Sequence, residues 1–347
     1  MKNKYIQELN LLRALACLSI VLLHSTTQNA AVTSSVQNHA YQFFRVALCY
    51  ATPTFILISV IILAKNYKDN IPEGFWSKRL QYILIPYLFC AAIDVMIVKN
   101  KWPNTDVSQK IIDNFIYGNH IGWFILVILQ MYIIFHFVKK SKFDMKIGSI
   151  LMTFISLAYL WMLRLPIPII KENLIWLKLL FPAWLGYFAI AYLFGTYYEV
   201  ISNYIYKKRY YTILLVLISL IILYIGYKGG YISANSRRID IIPLVISITL
   251  LIIAWGQRFT NMSIINFISG CSFGIYLVHW QVQRYIAAYT AKLTDNTFLQ
   301  VVLLFIVSLI ISIIIVKLLS SISIGEYIVG KSNRNNKWKE EATYVRR

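Results

Sequence analysis

The stretch ELNLLRALACLSIVLLHS, residues 8–25, is an apolar run that contains two widely spaced basic side chains, Arg13 and His24. With its flanks it is long enough to cross the roughly 30 Å hydrocarbon core of a bilayer as a helix. Arg13 and His24 are eleven positions apart, which is a rise of about 16 Å and a rotation within about 20° of three whole turns. Both side chains therefore share one helix face, with Arg13 near the start of the span and His24 towards its far end.

Similar apolar runs recur along the whole 347-residue chain, which is 59% hydrophobic and only 14% charged. Soluble domains average roughly 45–50% apolar and about 25% charged residues, so the composition excludes a water-soluble globule. The segments of membrane-spanning length are residues 9–27, 43–64, 79–98, 121–138, 147–164, 176–198, 211–227, 239–256, 267–290 and 298–319. We expect an all-α, polytopic membrane bundle of about ten transmembrane helices, with one domain over residues 1–330 and a basic tail over residues 331–347.

The charge balance is strongly basic, because 34 Lys and Arg face 14 Asp and Glu, for a formal net charge of +20. In a soluble protein this excess would suggest a nucleic-acid partner. Here the basic residues lie between apolar spans, and the loops on the side of the N-terminus carry the clear majority of them. Because basic loops stay in the cytoplasm, we expect both termini, and the basic tail, to be cytoplasmic and expect no nucleic-acid partner.

The four cysteines all lie within or at the ends of apolar runs: Cys17, Cys49, Cys90 and Cys271. Their spacing fits neither a metal site nor a disulfide framework, so we expect no metal and no disulfide. The first apolar run is not followed by a clear cleavage site, and we expect it to stay as a membrane anchor.

Ionisable groups inside a span cost free energy and are therefore functional candidates. Lys78 and Arg79 open the third span at about the depth of Arg13, and three converging cations would suit a phosphate-rich ligand from the cytoplasm. The alternative is that they only flank a cytoplasmic helix start. Further along this span, Asp94 lies at about the depth of His24, where a carboxylate could orient the imidazole, although an interfacial position explains Asp94 equally well.

The ninth span carries a polar stripe spaced 3, 4, 3 and 4, which is one helix face: Ser269, Ser272, Tyr276, His279 and Gln283. We expect the two serines to form an interhelical hydrogen-bond seam and His279 to line a pocket. Weaker indications come from Ser59 in the second span and from Trp123, which an interfacial aromatic belt also explains.

These residues resemble the motifs of the membrane acyltransferase-3 family. Arg13 and His24 match its R-x10-H first-helix motif, and four further segments follow in the family's order: TPTFILIS with Ser59, FWSKRLQYILIPY with Lys78 and Arg79, HIGWFILV with Trp123, and SGCSFGIYLVHW with Tyr276 and His279. The resemblance covers nearly the whole chain. Lys78 stands where many members have Arg, which keeps the charge but loses the planar fork.

The resemblance implies about ten membrane helices and transfer of an acyl group from a cytoplasmic acyl-CoA to sugars on the far side. Within the family the short chain resembles the intercellular-adhesion C subgroup, which is linked to the biofilm polysaccharide poly-N-acetylglucosamine. We therefore expect a multi-pass O-acyltransferase of the bacterial cell membrane. Acetyl-CoA or succinyl-CoA would be its donor, an envelope polysaccharide its acceptor, the lipid bilayer its surroundings, and a polysaccharide synthase a further candidate partner.

The resemblance to this family also implies a role for each candidate residue. His24 would be the general base or the acyl carrier, with Asp94 as its catalytic partner. The CoA phosphates would be held by Arg13, Lys78 and Arg79, and the substrate path would be lined by Ser59, Trp123, Tyr276 and His279.

Two functions other than acyl transfer are also compatible with the sequence. A polysaccharide or lipid-linked sugar transporter would show the same polar stripes as a translocation path. A membrane assembly partner of a synthase would have no chemistry of its own. The grouping of the cations at one depth, and the lack of an inverted repeat among the spans, favour the enzyme.

Overall fold

The computed structural model describes residues 6–33, 38–68, 70–141, 144–259 and 262–331. Nine helices in this part of the chain are apolar and long enough to cross a membrane: Gln7–Thr33, His39–Asn66, Phe75–Lys101, Trp123–Lys140, Met145–Met162, Arg209–Lys228, Ile239–Gly256, Ser263–Ala291 and Thr297–Ser321. A tenth apolar helix, Phe181–Thr196, is shorter. The expected all-α bundle of about ten membrane helices is confirmed, and the described residues contain no strand.

The helices are numbered in chain order. They are α1 (Gln7–Thr33), α2 (His39–Leu48), α3 (Ala51–Asn66), α4 (Phe75–Arg79), α5 (Ile85–Lys101), α6 (Val107–Phe115), α7 (Trp123–Lys140), α8 (Met145–Met162), α9 (Pro168–Glu172), α10 (Leu174–Leu177), α11 (Leu185–Thr196), α12 (Tyr198–Lys207), α13 (Arg209–Lys228), α14 (Ile242–Gly256), α15 (Ser263–Ala291), α16 (Thr297–Ser321) and α17 (Glu326–Val329). Short 3₁₀ turns, Phe181–Trp184 and Ile239–Ile241, precede α11 and α14.

The start of α1 and the end of α16 lie at the same face, because both contact the start of α15: the Asn10 amide donates to the Asn266 side-chain oxygen over 3.3 Å, and the Lys317 ammonium lies 4.7 Å from the centre of the Phe267 ring. We call this the terminal face and the opposite one the far face. That the terminal face is cytoplasmic stays a prediction, as does the boundary between the domain and its tail. Residues 332–347 of the predicted tail lie outside the described residues.

The third span is irregular at its start. A π-helical turn, Leu80–Leu84, separates α4 from α5, and Pro86 occupies the first turn of α5. Proline lacks an N–H and its ring displaces the carbonyl four residues earlier, which a wider turn accommodates. Lys78 and Arg79 therefore lie on a short segment at the terminal face, ahead of the regular part of the span.

α1 lies inside the bundle, where it packs most extensively on α15 and also contacts α3, α14 and α16. Hydrogen bonds join α1 to α15 at both ends of their contact. The Ser269 hydroxyl donates to the Asn10 side-chain oxygen over 3.2 Å, and the Gln283 amide donates to the Val21 carbonyl over 3.0 Å and to the Ser25 hydroxyl over 2.9 Å. Such bonds satisfy polar groups that lipid cannot.

The periphery is apolar on its outer surface. α8 and α13 expose large aliphatic and aromatic side chains, among them Ile150, Phe154 and Ile225. An apolar surface of this extent is incompatible with water, so these helices face the hydrocarbon of the bilayer.

Candidate functional site

Three cavities follow one another from the terminal face towards the far face. The first, which we call the entrance cavity, has a volume of about 430 Å³ and is lined by Lys78, Arg79 and Lys331, with Ile83 and Tyr132 among its other residues. The Arg79 guanidinium lies 3.7 Å from the centre of the Phe75 ring beneath it. The series of cavities is therefore rich in cations at its terminal-face end.

The middle cavity has a volume of about 150 Å³ and shares Ile83 and Tyr132 with the entrance cavity. Its other lining side chains are mostly apolar, and its polar groups come from Arg13, Ser59, Tyr132, Ser272 and Tyr276. Only the wall that the two cavities share separates Arg13 on α1 from Lys78 and Arg79 at the start of the third span. This arrangement agrees with the similar depth predicted for the three cations.

The far cavity has a volume of about 190 Å³ and shares Tyr276 with the middle cavity. Its lining includes His24, Trp123, Asn235 and Arg237. The succession of cavities therefore joins every residue predicted to bind donor or substrate except His279, and it also includes His24. The individual roles of these residues stay predictions.

His279 lies directly behind His24. The two imidazole centres are 5.4 Å apart, and the Trp280 ring meets His24 edge-on at 5.2 Å. His279 is fully buried, and its Nδ1 lies 2.9 Å from the Ile275 carbonyl, to which a neutral ring donates. His279 Nε2 is then an acceptor, and this atom and His24 Nδ1 have no hydrogen-bond partner among the described residues.

The Tyr276 hydroxyl donates to the Ile121 carbonyl over 2.5 Å. Ile121 has a positive φ of 81°, which is rare for a β-branched residue and persists only where the surroundings enforce it. Ile121 itself lines the far cavity. The turn before α7 is therefore fixed against the wall that separates the middle and far cavities.

Asp94 is fully buried in a network of its own near the far face. Its Oδ1 accepts from Arg284 over 2.9 Å and from Gln281 over 2.5 Å. Its Oδ2 accepts from Asn114 over 2.9 Å and lies 3.1 Å from the Lys110 ammonium. Two cations and two amides thus use the acceptor capacity of the carboxylate.

The structure does not place Asp94 where it could orient His24, because the partners of Asp94 among the described residues are Arg284, Gln281, Asn114 and Lys110. Similar depth in the membrane did not put the two side chains on facing sides of their helices. Asp94 instead holds Asn114 at the end of α6, where the Tyr87 hydroxyl also donates to the Asn114 carbonyl over 2.7 Å. This segment leads directly into the turn at Ile121.

Arg237 was not among the predicted site residues. Its guanidinium lies 5.0 Å from the centre of the Trp123 ring, its Nε is buried without a hydrogen-bond partner, and no carboxylate pairs with it among the described residues. Burial lowers the pKa of Arg237 to about 10, which leaves it charged at neutral pH. Burial, and then the charge of Arg237, lower the pKa of Lys178.

The adjacent Arg238 differs, because it is paired at 2.5 Å with Asp240. A pair of arginines in a far-face loop opposes the usual distribution of basic residues, and this was the sequence signal that could have identified Arg237.

A family model described as an acyltransferase domain matches residues 6–317. The chain belongs to the acyltransferase-3 family. The resemblance read from the five motifs is therefore confirmed, and the protein is a multi-pass bacterial membrane acyltransferase by family.

Among the relatives, one is named as an acyltransferase and others are named for polysaccharide export. A Bacillus subtilis (strain 168) protein that carries the name membrane-bound acyltransferase is 32% identical over 295 residues, which cover 79% of this chain and 80% of the relative. A Staphylococcus aureus (strain MRSA252) protein named for export of poly-β-1,6-N-acetyl-D-glucosamine is 28% identical over 345 residues, or 93% of this chain and 95% of the relative. A Staphylococcus epidermidis protein with the same name is 25% identical, with 95% of each chain covered. No solved structure gives a significant match.

The Asp94 network yields a prediction about stability. Asp94→Ala should destabilise the protein by about 3 kcal/mol, because it leaves Arg284 and Lys110 as poorly compensated charges. Thermal unfolding of the purified protein in detergent measures this as a lower midpoint. Asp295→Ala, which removes an exposed carboxylate, is the matched control and should unfold like the native protein. Equal midpoints for the two variants would show that the network contributes nothing.

Proposed function

We propose that this protein is an integral membrane O-acyltransferase. It moves an acyl group from a cytoplasmic acyl-CoA to a hydroxyl of a cell-envelope polysaccharide such as poly-N-acetylglucosamine. The observation that carries the proposal is the succession of cavities from a cationic entrance at the terminal face to His24 near the far face. The names of the staphylococcal relatives support a polysaccharide of this class as the acceptor.

The shape of the path suits the donor. CoA carries its phosphates at one end and its thioester at the tip of a long, thin arm. Lys78 and Arg79 at the entrance would hold phosphates as charge-assisted donors. The arm would run through the mostly apolar middle cavity past Arg13, which brings the thioester towards Tyr276 and the far cavity.

His24 would act at the far end of this path. As a general base it takes the proton of the acceptor hydroxyl while the oxygen attacks the thioester carbonyl. The carbon–sulfur bond then breaks, and the CoA thiolate leaves with the proton returned from the imidazolium. In the alternative route, His24 first accepts the acyl group and passes it to the hydroxyl. Both routes need a neutral imidazole, and the adjacent His279 provides a second buried ring nitrogen that has no partner in the part of the chain that the structure describes.

The far cavity also bears on which acyl group is carried. Arg237 supplies a charged guanidinium there with no carboxylate paired to it among the described residues. A succinyl group ends in a free carboxylate, whereas an acetyl group has none. A half-buried guanidinium, whose Nε has no hydrogen-bond partner among the described residues, gains from a ligand that satisfies its charge and its planar donors, so the donor we favour is succinyl-CoA.

Export of the polysaccharide is the alternative, and the names of the staphylococcal relatives favour it. The width of the path favours the enzyme. The middle cavity holds about 150 Å³, about half the volume of the smallest pockets that typically enclose a drug-sized ligand. An acyl arm needs far less room there than a chain of sugars does.

His24→Ala should reduce acyl transfer at least about 100-fold, which is the lower range for loss of a general base. The protein should remain inserted and abundant, since the α1–α15 hydrogen bonds do not involve this ring. The measurement is the ester content of the polysaccharide at matched protein level. The control is His39→Ala, which changes an exposed histidine at the far face. Native ester content in His24→Ala would remove His24 from the mechanism.

Arg237→Gln should lower kcat/KM for succinyl-CoA by about 30-fold or more, because a desolvated charge pair is lost. For acetyl-CoA the change should stay within twofold. Steady-state kinetics of the purified protein with both donors test this, and Lys292→Gln, which removes an exposed far-face cation, should change neither. An equal loss with both donors would argue against a carboxylate site at Arg237.

Sidedness separates the enzyme from the exporter. In sealed vesicles with the terminal face outward, external acyl-CoA should acylate a sugar acceptor that is enclosed inside. Vesicles of the opposite orientation should not do so with the same external donor. A transporter must open its sugar site to each side in turn, whereas a path filled from one end by the donor does not. Passage of unmodified sugar without acyl-CoA would favour the exporter.

A further inference from the structure

A fourth cavity opens at the terminal face beside the entrance cavity. It has a volume of about 560 Å³ and is lined by Trp76, His136 and Lys140 among others. Gly74 and Ser77 line both this cavity and the entrance cavity, so the two are continuous at their edges. None of the residues predicted from the sequence belongs to the fourth cavity.

Its walls combine aromatic surface with a hydrogen-bonding nitrogen. The Trp76 and His136 rings are 5.8 Å apart and tilted by 56°, and Phe75 supports Trp76 edge-on at 5.4 Å. His136 Nδ1 is buried and has no hydrogen-bond partner among the described residues. A planar, nitrogen-rich ring system could stack on such a surface and bond to this nitrogen.

The rim of the same cavity is charged. α7 ends there with Lys139 and Lys140, and Lys140 is exposed. Lys139 is already engaged, since its ammonium donates to the Lys68 carbonyl over 2.8 Å, which leaves Lys140 as the more adaptable cation. Glu73 adds one carboxylate to the lining, an acceptor for hydroxyl groups. Aromatic surface, cations and a hydroxyl acceptor together match a nucleoside phosphate.

We propose that the fourth cavity binds the adenosine 3′-phosphate end of the acyl-CoA donor. This inference rests on the proposed function. The base stacks on Trp76, Lys140 meets the 3′-phosphate, and the diphosphate crosses to Lys78 and Arg79 past Gly74. Gly74 has a φ of 71°, and a Cβ built on it would have no atom within 4 Å, so the crossing point is open.

Trp76→Leu tests the proposal with two donors, acyl-CoA and the matching acyl-phosphopantetheine, which lacks the adenosine 3′-phosphate. With acyl-CoA, KM should rise about tenfold, as expected for loss of one aromatic–base stack. With acyl-phosphopantetheine, KM should change less than twofold, because the part of the donor that contacts Trp76 is missing. The control is Trp161→Leu, an exposed tryptophan on α8, which should affect neither donor.

A rise of KM for both donors alike would mean that Trp76 is only structural, and no change for either would mean that the nucleoside lies elsewhere. His136→Gln provides a second, milder variant with the same expected pattern should Trp76→Leu fold poorly.

Direct binding separates this inference from the proposed function. Purified native protein should bind adenosine 3′,5′-bisphosphate, and Trp76→Leu should weaken that binding about tenfold without any transfer reaction. Binding that depends on Trp76 in a protein that transfers no acyl group would support the site and overturn the proposed function. Transfer from acyl-CoA that does not depend on Trp76 would support the proposed function and overturn the site. Binding of the bisphosphate that is equal in both proteins, or absent from both, overturns the site.

Discussion

The packing of α1 against α15 controls the position of the other site residues, because it decides which helix faces meet inside the membrane. Lipid offers no hydrogen-bond partners, so Asn10 and Gln283 find theirs across this contact. Those bonds fix both the rotation and the relative height of the two helices. With α1 so oriented, His24 comes to lie against His279 and Trp280, and α15 also brings Tyr276 to the wall between two cavities.

The far half of the site is completed by segments outside the long helices. The turn at Ile121 keeps a positive φ, a conformation that costs free energy and needs support from its surroundings. The Asp94 network supports this turn indirectly, because Asp94 bonds to Asn114 at the end of α6, a few residues before Ile121. The loop that carries Arg237 covers the same cavity from another side. The far cavity thus contains a fixed positive charge among partly buried groups, where electrostatic interactions are stronger than in water.

Helical periodicity was enough to predict the spans and to place Arg13 with His24, and Tyr276 with His279, on common faces. It also predicted that Lys78 and Arg79 lie at about the same depth in the membrane as Arg13. It could not give the partners of Asp94, because depth along a helix says nothing about rotation relative to a neighbour, and Arg284, Gln281 and Asn114 reach it from two other segments. Arg237 was beyond periodicity altogether, since only tertiary folding brings its loop over His24.

The relatives carry two kinds of names, acyltransferase and exporter. These two functions need different surroundings in the middle of the membrane. A sugar that crosses must find partners for its hydroxyl groups at every depth, and each buried group left without one costs about 1–3 kcal/mol. The middle cavity is mostly apolar and small, with Arg13, Ser59 and Tyr276 among its few polar side chains. An acyl arm makes a smaller demand, because it carries far fewer polar groups than a chain of sugars, and the carboxylate of a succinyl group would pass Arg13 and meet Arg237. In the proposed reaction the phosphates of the donor would stay with the cations at the terminal face, so that only the acyl group would have to reach an acceptor on the far side.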